Sequence, residues 1–237
     1  MHRNCIVSMT KLIKERDLPH GVWETLLPHA LRIIEEIKRH GNADPFWTFG
    51  GGTVLMLRYQ HRLSKDIDIF VPDPQYLGFV TPRLSDVAAD VSSQYVEDQN
   101  SYVKLIRPEG EIDFVASSNL TKPGYEEWAI LGNTIRVETA VEIVAKKLWH
   151  RGDQAAARDL FDLSLVIERE PDELRMAAPF LLRHADQFME QIQDRAHVLK
   201  PQFDEIDSLN YEPSYEEAVE RVLGFLRTLK NQDGQDK

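Results

Sequence analysis

Two aspartates separated by one residue are the side chains in this sequence best suited to hold a metal ion. They lie in the segment from Asp66 to Val71, DIDIFV, in which polar and apolar residues alternate. This period of two is typical of a β-strand with one buried face. It places Asp66 and Asp68 on the same face, with Cα atoms roughly 6.5–7 Å apart. Two carboxylates at this spacing repel each other unless a cation lies between them, and their oxygens suit Mg²⁺ or Mn²⁺.

A glycine-rich turn lies shortly before this strand. Gly50, Gly51 and Gly52 follow an apolar run and are followed by Thr53 and an apolar helical pattern. A turn from a strand into a helix presents free N–H groups and the positive end of the helix dipole, which is where phosphates bind. We therefore expect Gly50 to Thr53, with Ser64 from the following polar turn, to hold the phosphates of a nucleotide.

These features, taken in order, resemble the nucleotidyltransferase superfamily that includes DNA polymerase beta. That superfamily combines a Gly-rich strand–helix turn with D-x-D on the next strand. The form here, GG-T-x-L and then H-R-x-S-x-D-I-D-I-F, closely resembles the AbiEii-type toxin nucleotidyltransferases, including the MenT branch. The resemblance covers roughly Thr48 to Leu163. Singly, the glycines could form an ordinary turn, Ser64 a cap and Asp66 a strand-edge residue; the ordered set favours the functional interpretation.

The superfamily usually places a third carboxylate on a strand beside the D-x-D strand, where it binds metal and deprotonates the attacking hydroxyl. The segment Glu111 to Val115, EIDFV, reads as such a strand. The resemblance implies that Asp113 is this third metal ligand, and Glu111 on the same face is the rival candidate.

A pair of helical segments, AKKLWHR and then RDLFDL, extends the resemblance. In the family a lysine of the first helix binds the nucleotide phosphates, and an aspartate of the second belongs to the same pocket. Lys147 and Asp162 match these positions best, with Lys146 and Asp159 as the fallbacks. A simple i, i+4 pair of Arg158 and Asp162 is the structural alternative, but in that orientation it contributes only about a few tenths of a kcal/mol.

Composition excludes several classes of protein. The 237 residues are 42% hydrophobic and 28% charged, as in an ordinary globular protein, and no apolar run is long enough to span a membrane. The single cysteine, Cys5, rules out an internal disulfide framework and favours a reducing compartment, so we expect a cytoplasmic protein.

The net charge of −11 argues against indiscriminate nucleic-acid binding but leaves room for a local basic strip. We expect such a strip from two groups of basic residues near the motif. These are Arg58, His61, Arg62 and Lys65 in the first group and Lys146, Lys147, His150 and Arg151 in the second.

The hydrophobic periodicity predicts an α/β (α+β) fold with a mixed β-sheet flanked by helices, followed by a helical C-terminal part. The resemblance implies that the sheet and its flanking helices form a nucleotidyltransferase core. We divide the chain into a core with its N-terminal helix, 1–137, and a helical domain, 138–237. The predicted helices are Ser8–Gly41, Pro82–Ser92, Glu138–His150, Ala155–Ile167, Leu174–His184, Phe188–Leu199 and a last helix capped by Ser214 and Glu217 that ends near Leu229. The predicted strands are Phe46–Phe49, Asp66–Val71, Tyr95–Val96, Tyr102–Ile106 and Ile112–Val115, and the tail Asn231–Lys237 is expected to be disordered.

The resemblance implies an enzyme that transfers a nucleoside monophosphate from a nucleoside triphosphate (NTP) to an acceptor hydroxyl and releases pyrophosphate, with Mg²⁺ or Mn²⁺ as cofactor. It implies the 3′ end of tRNA as the acceptor, and a toxin that is inhibited by a cognate antitoxin protein. One alternative is a small-molecule nucleotidyltransferase of the antibiotic-modifying kind. A second is a non-catalytic binding module that has kept the fold.

Overall fold

The computed structural model describes residues 18–41 and 43–234. Within these ranges the chain forms a seven-stranded mixed β-sheet, helices on both of its faces, and a run of helices after the last strand. The mixed sheet and the helical C-terminal part confirm the fold predicted from the sequence. The first helix begins only at Trp23, so the predicted helix Ser8–Gly41 is wrong over residues 18–22. Its predicted start at Ser8, and Cys5, lie outside the described residues.

The strands are β1 Thr48–Gly50, β2 Ile67–Val71, β3 Tyr95–Asp98, β4 Tyr102–Ile106, β5 Glu111–Ala116, β6 Tyr125–Ile130 and β7 Asn133–Glu138. Their order across the sheet is β3-β4-β5-β2-β1-β7-β6. Strand β2 pairs in parallel with β5 and antiparallel with β1, so the motif strand lies between the strand of the third predicted carboxylate and the strand that leads into the glycine turn.

The helices are α1 Trp23–His40, α2 Gly51–Tyr59, α3 Leu77–Val80, α4 Asp86–Val91, α5 Ala140–Arg151, α6 Ala157–Arg169, α7 Pro171–Met176, α8 Ala178–Leu181, α9 Ala185–Asp194, α10 Ala196–Asp204 and α11 Tyr215–Asp233. None of these helices is both long enough and apolar enough to cross a lipid bilayer. Helices α1, α3 and α4 pack together under the sheet, where α1 contacts β2 and β5.

The alternation along β2 and β5 sends apolar side chains into this core. Ile67 and Ile69 on β2, and Ile112 and Phe114 on β5, are completely buried. Burial of side chains of this size stabilises the fold by roughly 1.5–3 kcal/mol each. The residues between them therefore point to the opposite face of the sheet, towards α5, and this face holds the polar residues of the motif.

Several predicted boundaries are wrong. Strand β1 starts at Thr48 and includes Gly50, and α4 starts only at Asp86 because the Ser85 hydroxyl caps it by accepting a hydrogen bond from Ala88 N. The predicted helix 174–184 is broken at Ala177 into α7 and α8, since Pro179 cannot continue a helical hydrogen-bond ladder. Two further helices differ from their predicted bounds. Helix α6 starts at Ala157 and not at Ala155, and the predicted helix Phe188–Leu199 is divided at Arg195 into α9 and α10.

Two regions were not anticipated as they stand in the structure. The hairpin of β6 and β7 was missed; its turn at Leu131 and Gly132 has positive φ at both positions, the geometry that matches the twist of a two-residue hairpin. The predicted capping box of Ser214 and Glu217 is present, but α11 continues to Asp233 instead of ending near Leu229. Residues 235–237 of the predicted tail lie outside the described residues.

The C-terminal helices are tied to the motif loop by a short antiparallel ladder. Leu63 N donates to Asp207 O at 2.8 Å, and Leu209 N donates to His61 O at 2.9 Å. Helix α5 also packs against α2 and α6. The two predicted parts thus meet at the motif, and their division after residue 137 stays a prediction.

Candidate active site

Asp68 and Asp113 form a carboxylate pair on two adjacent strands. They occupy matching positions in the parallel register of β2 and β5, so both side chains leave the sheet on the face turned towards α5. Lys104 Nζ lies 3.3 Å from Asp113 Oδ2. Asp113 Oδ1 is buried and has no hydrogen-bond partner among the described residues, which is a costly arrangement for a charged group.

Burial and the negative charge of a neighbouring aspartate raise the pKa values of both carboxyl groups. Burial raises the pKa of Asp68 to about 6; Lys147 opposes this shift, and Asp66 adds to it. Burial, followed by the charge of Asp68, raises the pKa of Asp113 to about 7. Two carboxylates in this state favour a cation between them, because it would offset both the desolvation and the repulsion.

Asp66 is placed differently from the other two predicted metal ligands. It lies just before β2, and its Oδ1 accepts a hydrogen bond of 3.0 Å from Glu111 N. Glu111, the rival to Asp113, is paired with Lys104. In the described part of the chain, no group of three or more His, Cys, Asp or Glu side chains is arranged so that it could hold a metal ion. The structure therefore brings Asp68 and Asp113 together, while one oxygen of Asp66 is occupied by the backbone.

The glycine turn is packed directly against these side chains. Gly51 has φ of +72°, and a Cβ added there would overlap the carboxylate of Asp68. A Cβ at Gly52 would lie 2.7 Å from Arg62 Nη2 and 3.0 Å from Ser64 Oγ. Helix α2 starts at Gly51 without a side-chain cap, so its first N–H groups are free to bind an anion beside Asp68.

Thr53 and Ser64 hold the turn in place. Thr53 is completely buried, its hydroxyl donates to Asp66 O at 2.6 Å, and Ser64 Oγ lies 3.1 Å from that hydroxyl. This bond fixes the first turn of α2 to the residue that precedes β2. The predicted phosphate contact of Thr53 is therefore limited to its backbone N–H, while Ser64 remains half-buried beside Gly52.

A buried ionic cluster lies behind the turn, centred on Asp162 of α6. The Asp162 carboxylate, which is completely buried, accepts two hydrogen bonds from Arg62, at 2.7 and 2.8 Å, and one from Lys147 at 2.7 Å. His61 Nε2 is 2.8 Å from the same carboxylate. The cations hold the pKa of Asp162 well below its usual range against the opposing effect of burial. The carboxylate is saturated with protein partners, so it positions Arg62 and Lys147.

Lys147 projects from α5 between this cluster and the cleft. Its Nζ donates to Asp159 and Asp162, both at 2.7 Å, and an ammonium group has three N–H donors. Arg151, one turn further along α5, also donates to Asp159 at 2.7 Å, and its side chain is 54% exposed. Lys147 thus keeps one N–H for a ligand, and Arg151 adds a second positive charge at the same edge.

The expected basic strip around Arg58 to Lys65 is wrong. His61 and Arg62 are buried in the Asp162 cluster. Arg58 donates to the carbonyl of Glu138 and lies over the Trp128 ring, 4.6 Å from its centroid. These basic side chains are used inside the fold because each has a polar partner there, and Lys65 alone of that group is exposed.

A second buried acid behind the glycine turn was missed from the sequence. Glu138 at the end of β7 accepts hydrogen bonds from Thr48 Oγ1 at 2.8 Å and Lys146 Nζ at 2.5 Å. Burial raises its pKa to about 7. A Cβ at Gly50 would overlap this carboxylate, so Gly50 is required where β1 passes Glu138. Lys146, the fallback for Lys147, is bound here and lies over the Phe70 ring at 4.0 Å.

A cleft of about 220 Å³ opens between the sheet and α5. Five predicted site residues line it: Gly51, Gly52, Asp68, Asp113 and Lys147. The other predicted residues, Gly50, Thr53, Ser64, Asp66 and Asp162, support this lining from behind or beside it. The remaining lining residues that were not predicted as site residues are Phe70, Val115, Ile143, Lys146, His150 and Arg151. Two signals in the sequence could have identified most of them. Phe70 and Val115 alternate with Asp68 and Asp113 along the strands, and Ile143, His150 and Arg151 lie three or four residues from Lys147 along the helix.

Similarity to solved structures is weak. The chain is 17% identical to a candidate nucleotidyltransferase from H. pylori, with 90% of this chain and 98% of that chain covered and a TM-score of 0.46. JHP933 from Helicobacter pylori is 16% identical over 92% and 97% of the two chains, with a TM-score of 0.45. The GTP complex of the CD-NTase CdnG from Bradyrhizobium diazoefficiens is 14% identical over 91% and 86%, with a TM-score of 0.33. At these values the likenesses add nothing to an assignment of function.

Comparison of sequences gives a clearer result. No curated protein matches the chain. The model of one family, described as nucleotidyl transferase AbiEii toxin of a Type IV toxin–antitoxin system, matches residues 32–231. This match spans well over half of the 237 residues and includes every residue of the carboxylate pair, the glycine turn and the ionic cluster. The chain therefore belongs to the AbiEii family of nucleotidyltransferase toxins.

Proposed function

We propose that the protein transfers a nucleoside monophosphate from an NTP to an acceptor hydroxyl with the help of a divalent cation, Mg²⁺ or Mn²⁺. The observation that carries this proposal is the pairing of Asp68 with Asp113 directly beside the free helix N-terminus at Gly51. Oxygen donors, raised pKa values and a buried oxygen without a partner all fit a hard divalent cation at this pair.

Asp68 and Asp113 would hold the cation, with Asp66 as the third candidate ligand. When bound, such a cation supplies charge neutralisation for the phosphates and for the entering and leaving oxygens. The protein supplies the remaining positive environment. In the Asp162 cluster, the cations of Arg62, Lys147 and Arg151 face only two carboxylates, and burial lowers the pKa of His61 so that its ring stays neutral.

The phosphates of the NTP bind at the N-terminus of α2. The N–H groups of Gly51, Gly52 and Thr53 point outward there, and side chains at the two glycines would collide with Asp68 and Arg62. Lys147, with its remaining N–H, and Arg151 line the same cleft as the turn. These groups hold the triphosphate so that its α-phosphorus faces the carboxylate pair.

The reaction is an in-line substitution at the α-phosphorus. The acceptor oxygen forms a bond to phosphorus, the bond from phosphorus to the bridging oxygen of the β-phosphate breaks, and pyrophosphate leaves. Asp113 takes the proton of the acceptor hydroxyl. The superfamily that the motifs resemble gives its third acid this same double role of metal ligand and general base.

We propose the 3′ end of tRNA as the acceptor and translation as the process that the toxin blocks. The toxin–antitoxin family and the resemblance of the motifs to the MenT branch support this choice, and the family implies a cognate antitoxin protein as partner. An RNA would approach across Arg151 and Arg158, which line an adjoining cleft of about 640 Å³. Arg158 is exposed and makes no ion pair within the described ranges, so it is free to bind phosphate.

The function is tested by incubating the protein with each labelled NTP, MgCl₂ and total tRNA. We expect label in tRNA from the native chain, and at least about a hundredfold less from Asp68→Asn, since the variant loses one of the two paired charges. Asp194→Asn, an exposed acid of α9, is the matched control and should transfer normally. Equal transfer by Asp68→Asn would contradict the mechanism. Transfer to a small molecule but not to tRNA would contradict the proposed acceptor and leave the transfer reaction itself in place.

A further inference from the structure

The catalytic cleft changes from charged to apolar along the direction of the strands. Phe70 follows Asp68 on β2 by two residues, and Val115 follows Asp113 on β5 in the same way. The two apolar residues are also register partners. They therefore form the next layer on the same face of the sheet, about 7 Å beyond the carboxylate pair.

Helix α5, which covers this face of the sheet, also carries charged residues on one flank and the apolar Ile143 further round. At 100° per residue, Lys147 and Arg151 lie on the flank that meets Asp159, while Lys146 and His150 lie on the opposite flank, with Ile143 between them. Ile143 and His150 line the cleft together with Phe70 and Val115. The cleft thus has one end suited to phosphates and one end suited to an uncharged group.

His150 lies at the exposed rim of the apolar end, where one hydrogen bond orients its ring, and the other polar residue there, Lys146, is bound to Glu138. The Nε2 of His150 lies 3.1 Å from the hydroxyl of Ser117, which directly follows β5. Within the described part of the chain, Nδ1 has no hydrogen-bond partner. Burial, together with Lys146 and Arg183, lowers the pKa of His150, so the ring is neutral at pH 7 and offers one donor and one acceptor.

We propose that this apolar end of the cleft, formed by Phe70, Val115, Ile143 and His150, binds the nucleoside of the NTP and that His150 makes a specific hydrogen bond to it. The inference rests on the proposed function, because it assumes that the triphosphate occupies the Gly51 end. Small-ligand sites typically combine apolar walls with a few fixed polar groups, as here. A nucleoside has apolar ring faces and polar edges, whereas a phosphate would find at this end only Lys146, whose Nζ is already bound to Glu138.

The test compares two probes that differ only in the nucleoside. Equilibrium binding of an NTP and of inorganic tripolyphosphate is measured in MgCl₂ without tRNA. We expect the native protein to bind the NTP more tightly than tripolyphosphate. His150→Ala should weaken NTP binding by roughly two- to tenfold, the effect of one neutral hydrogen bond, and leave tripolyphosphate binding unchanged. His150→Asn, whose amide nitrogen can replace Nδ1, should recover part of the loss, and His197→Ala, at an exposed site of α10, should change neither.

A second variant fills the proposed subsite without touching His150. Val115→Phe should abolish the preference for the NTP over tripolyphosphate, with thermal unfolding recorded to verify that the variant is folded. Equal affinity of the native protein for the two probes, or NTP binding unchanged in both His150→Ala and Val115→Phe, would overturn the inference while leaving the phosphate site intact. If neither probe binds the native protein, the proposed function fails together with it.

Discussion

Asp68 and Asp113 lie side by side on parallel strands, where the charge of Asp68 raises the pKa of Asp113, and the glycine turn closes over Asp68 without room for a side chain. This arrangement does not serve stability. Two half-buried acids with raised pKa values weaken the fold wherever both must ionise. The relationship instead fits a site that binds a cation, and it leads to predictions that separate binding from folding.

Removal of one acid should stabilise the metal-free protein at neutral pH. Between pH 4 and 7 the Asp113 carboxyl ionises in the unfolded chain but keeps its proton in the folded one, because its folded pKa is raised to about 7. Its contribution to stability is therefore present below about pH 4 and is lost as pH rises through 7. Asp113→Asn should gain on the order of 2–4 kcal/mol over the native protein at pH 8, and nothing near pH 4. The free energy of unfolding is measured by urea titration in EDTA at each pH. If it depends on pH in the same way in the native protein and in Asp113→Asn, the prediction is contradicted. Asp194→Asn is the control.

The glycine turn can be tested with two glycines of the same backbone conformation. Gly51 and Gly132 both have φ of +72°, but only at Gly51 would an added Cβ overlap another residue, the carboxylate of Asp68. Gly132→Ala should cost about 1–2 kcal/mol of backbone strain and keep full activity. Gly51→Ala carries the same strain but should also lose nucleotide transfer, because Asp68 must move. Similar activity in the two variants, measured under conditions where both are folded, would argue against a tight fit at Gly51.

The buried cluster predicts unequal effects for two aspartates of α6. Asp162→Asn leaves Arg62 without its buried counter-charge and Lys147 with Asp159 alone, and it should destabilise the protein by about 3–5 kcal/mol. Asp159→Asn should cost clearly less, since Arg151 is half exposed and can turn into water. The free energies of unfolding in urea give the comparison. An equal or smaller loss for Asp162→Asn would mean that the cluster does not depend on Asp162.

Divalent metal should stabilise the folded chain through the carboxylate pair. At a Mg²⁺ concentration of 100 times the dissociation constant, we expect about 2.7 kcal/mol of added stability, visible as a higher melting temperature. Asp68→Asn and Asp113→Asn should lose this response, while Asp194→Asn should keep it. NaCl of equal ionic strength is the control for screening. A full metal response in both site variants would locate the cation elsewhere.

The local chemistry of this protein could be read from its sequence, and the long-range contacts could not. Strict alternation around Asp68 identified β2, and the order of glycines, helix and strand identified the turn, because each signal lies within a few residues. The pairing of Arg62 with Asp162, 100 residues apart, depends on how α6 is placed by the whole fold. The same holds for Glu138 behind Gly50, so basic residues expected at the surface were found inside.

The hairpin of β6 and β7 escaped prediction for a related reason. Alternation is weak in the edge strand β6, where Glu126 and Glu127 are adjacent and exposed, whereas Thr134 to Glu138 of β7 does alternate and was overlooked. The turn of the hairpin places Leu131 at positive φ, a position usually occupied by Asn, Asp or Gly, and so it carries no standard turn signal. Edge strands with polar faces are thus harder to predict than the buried strand β2.

The most direct test of the central claim is the position of Mn²⁺, located by anomalous scattering in a crystal grown with Mn²⁺ and a non-hydrolysable NTP. The account predicts a peak bound by oxygens of both Asp68 and Asp113, with the phosphates of the nucleotide on the Gly51–Gly52 turn. A peak that contacts neither aspartate, or phosphates bound away from that turn, would contradict it.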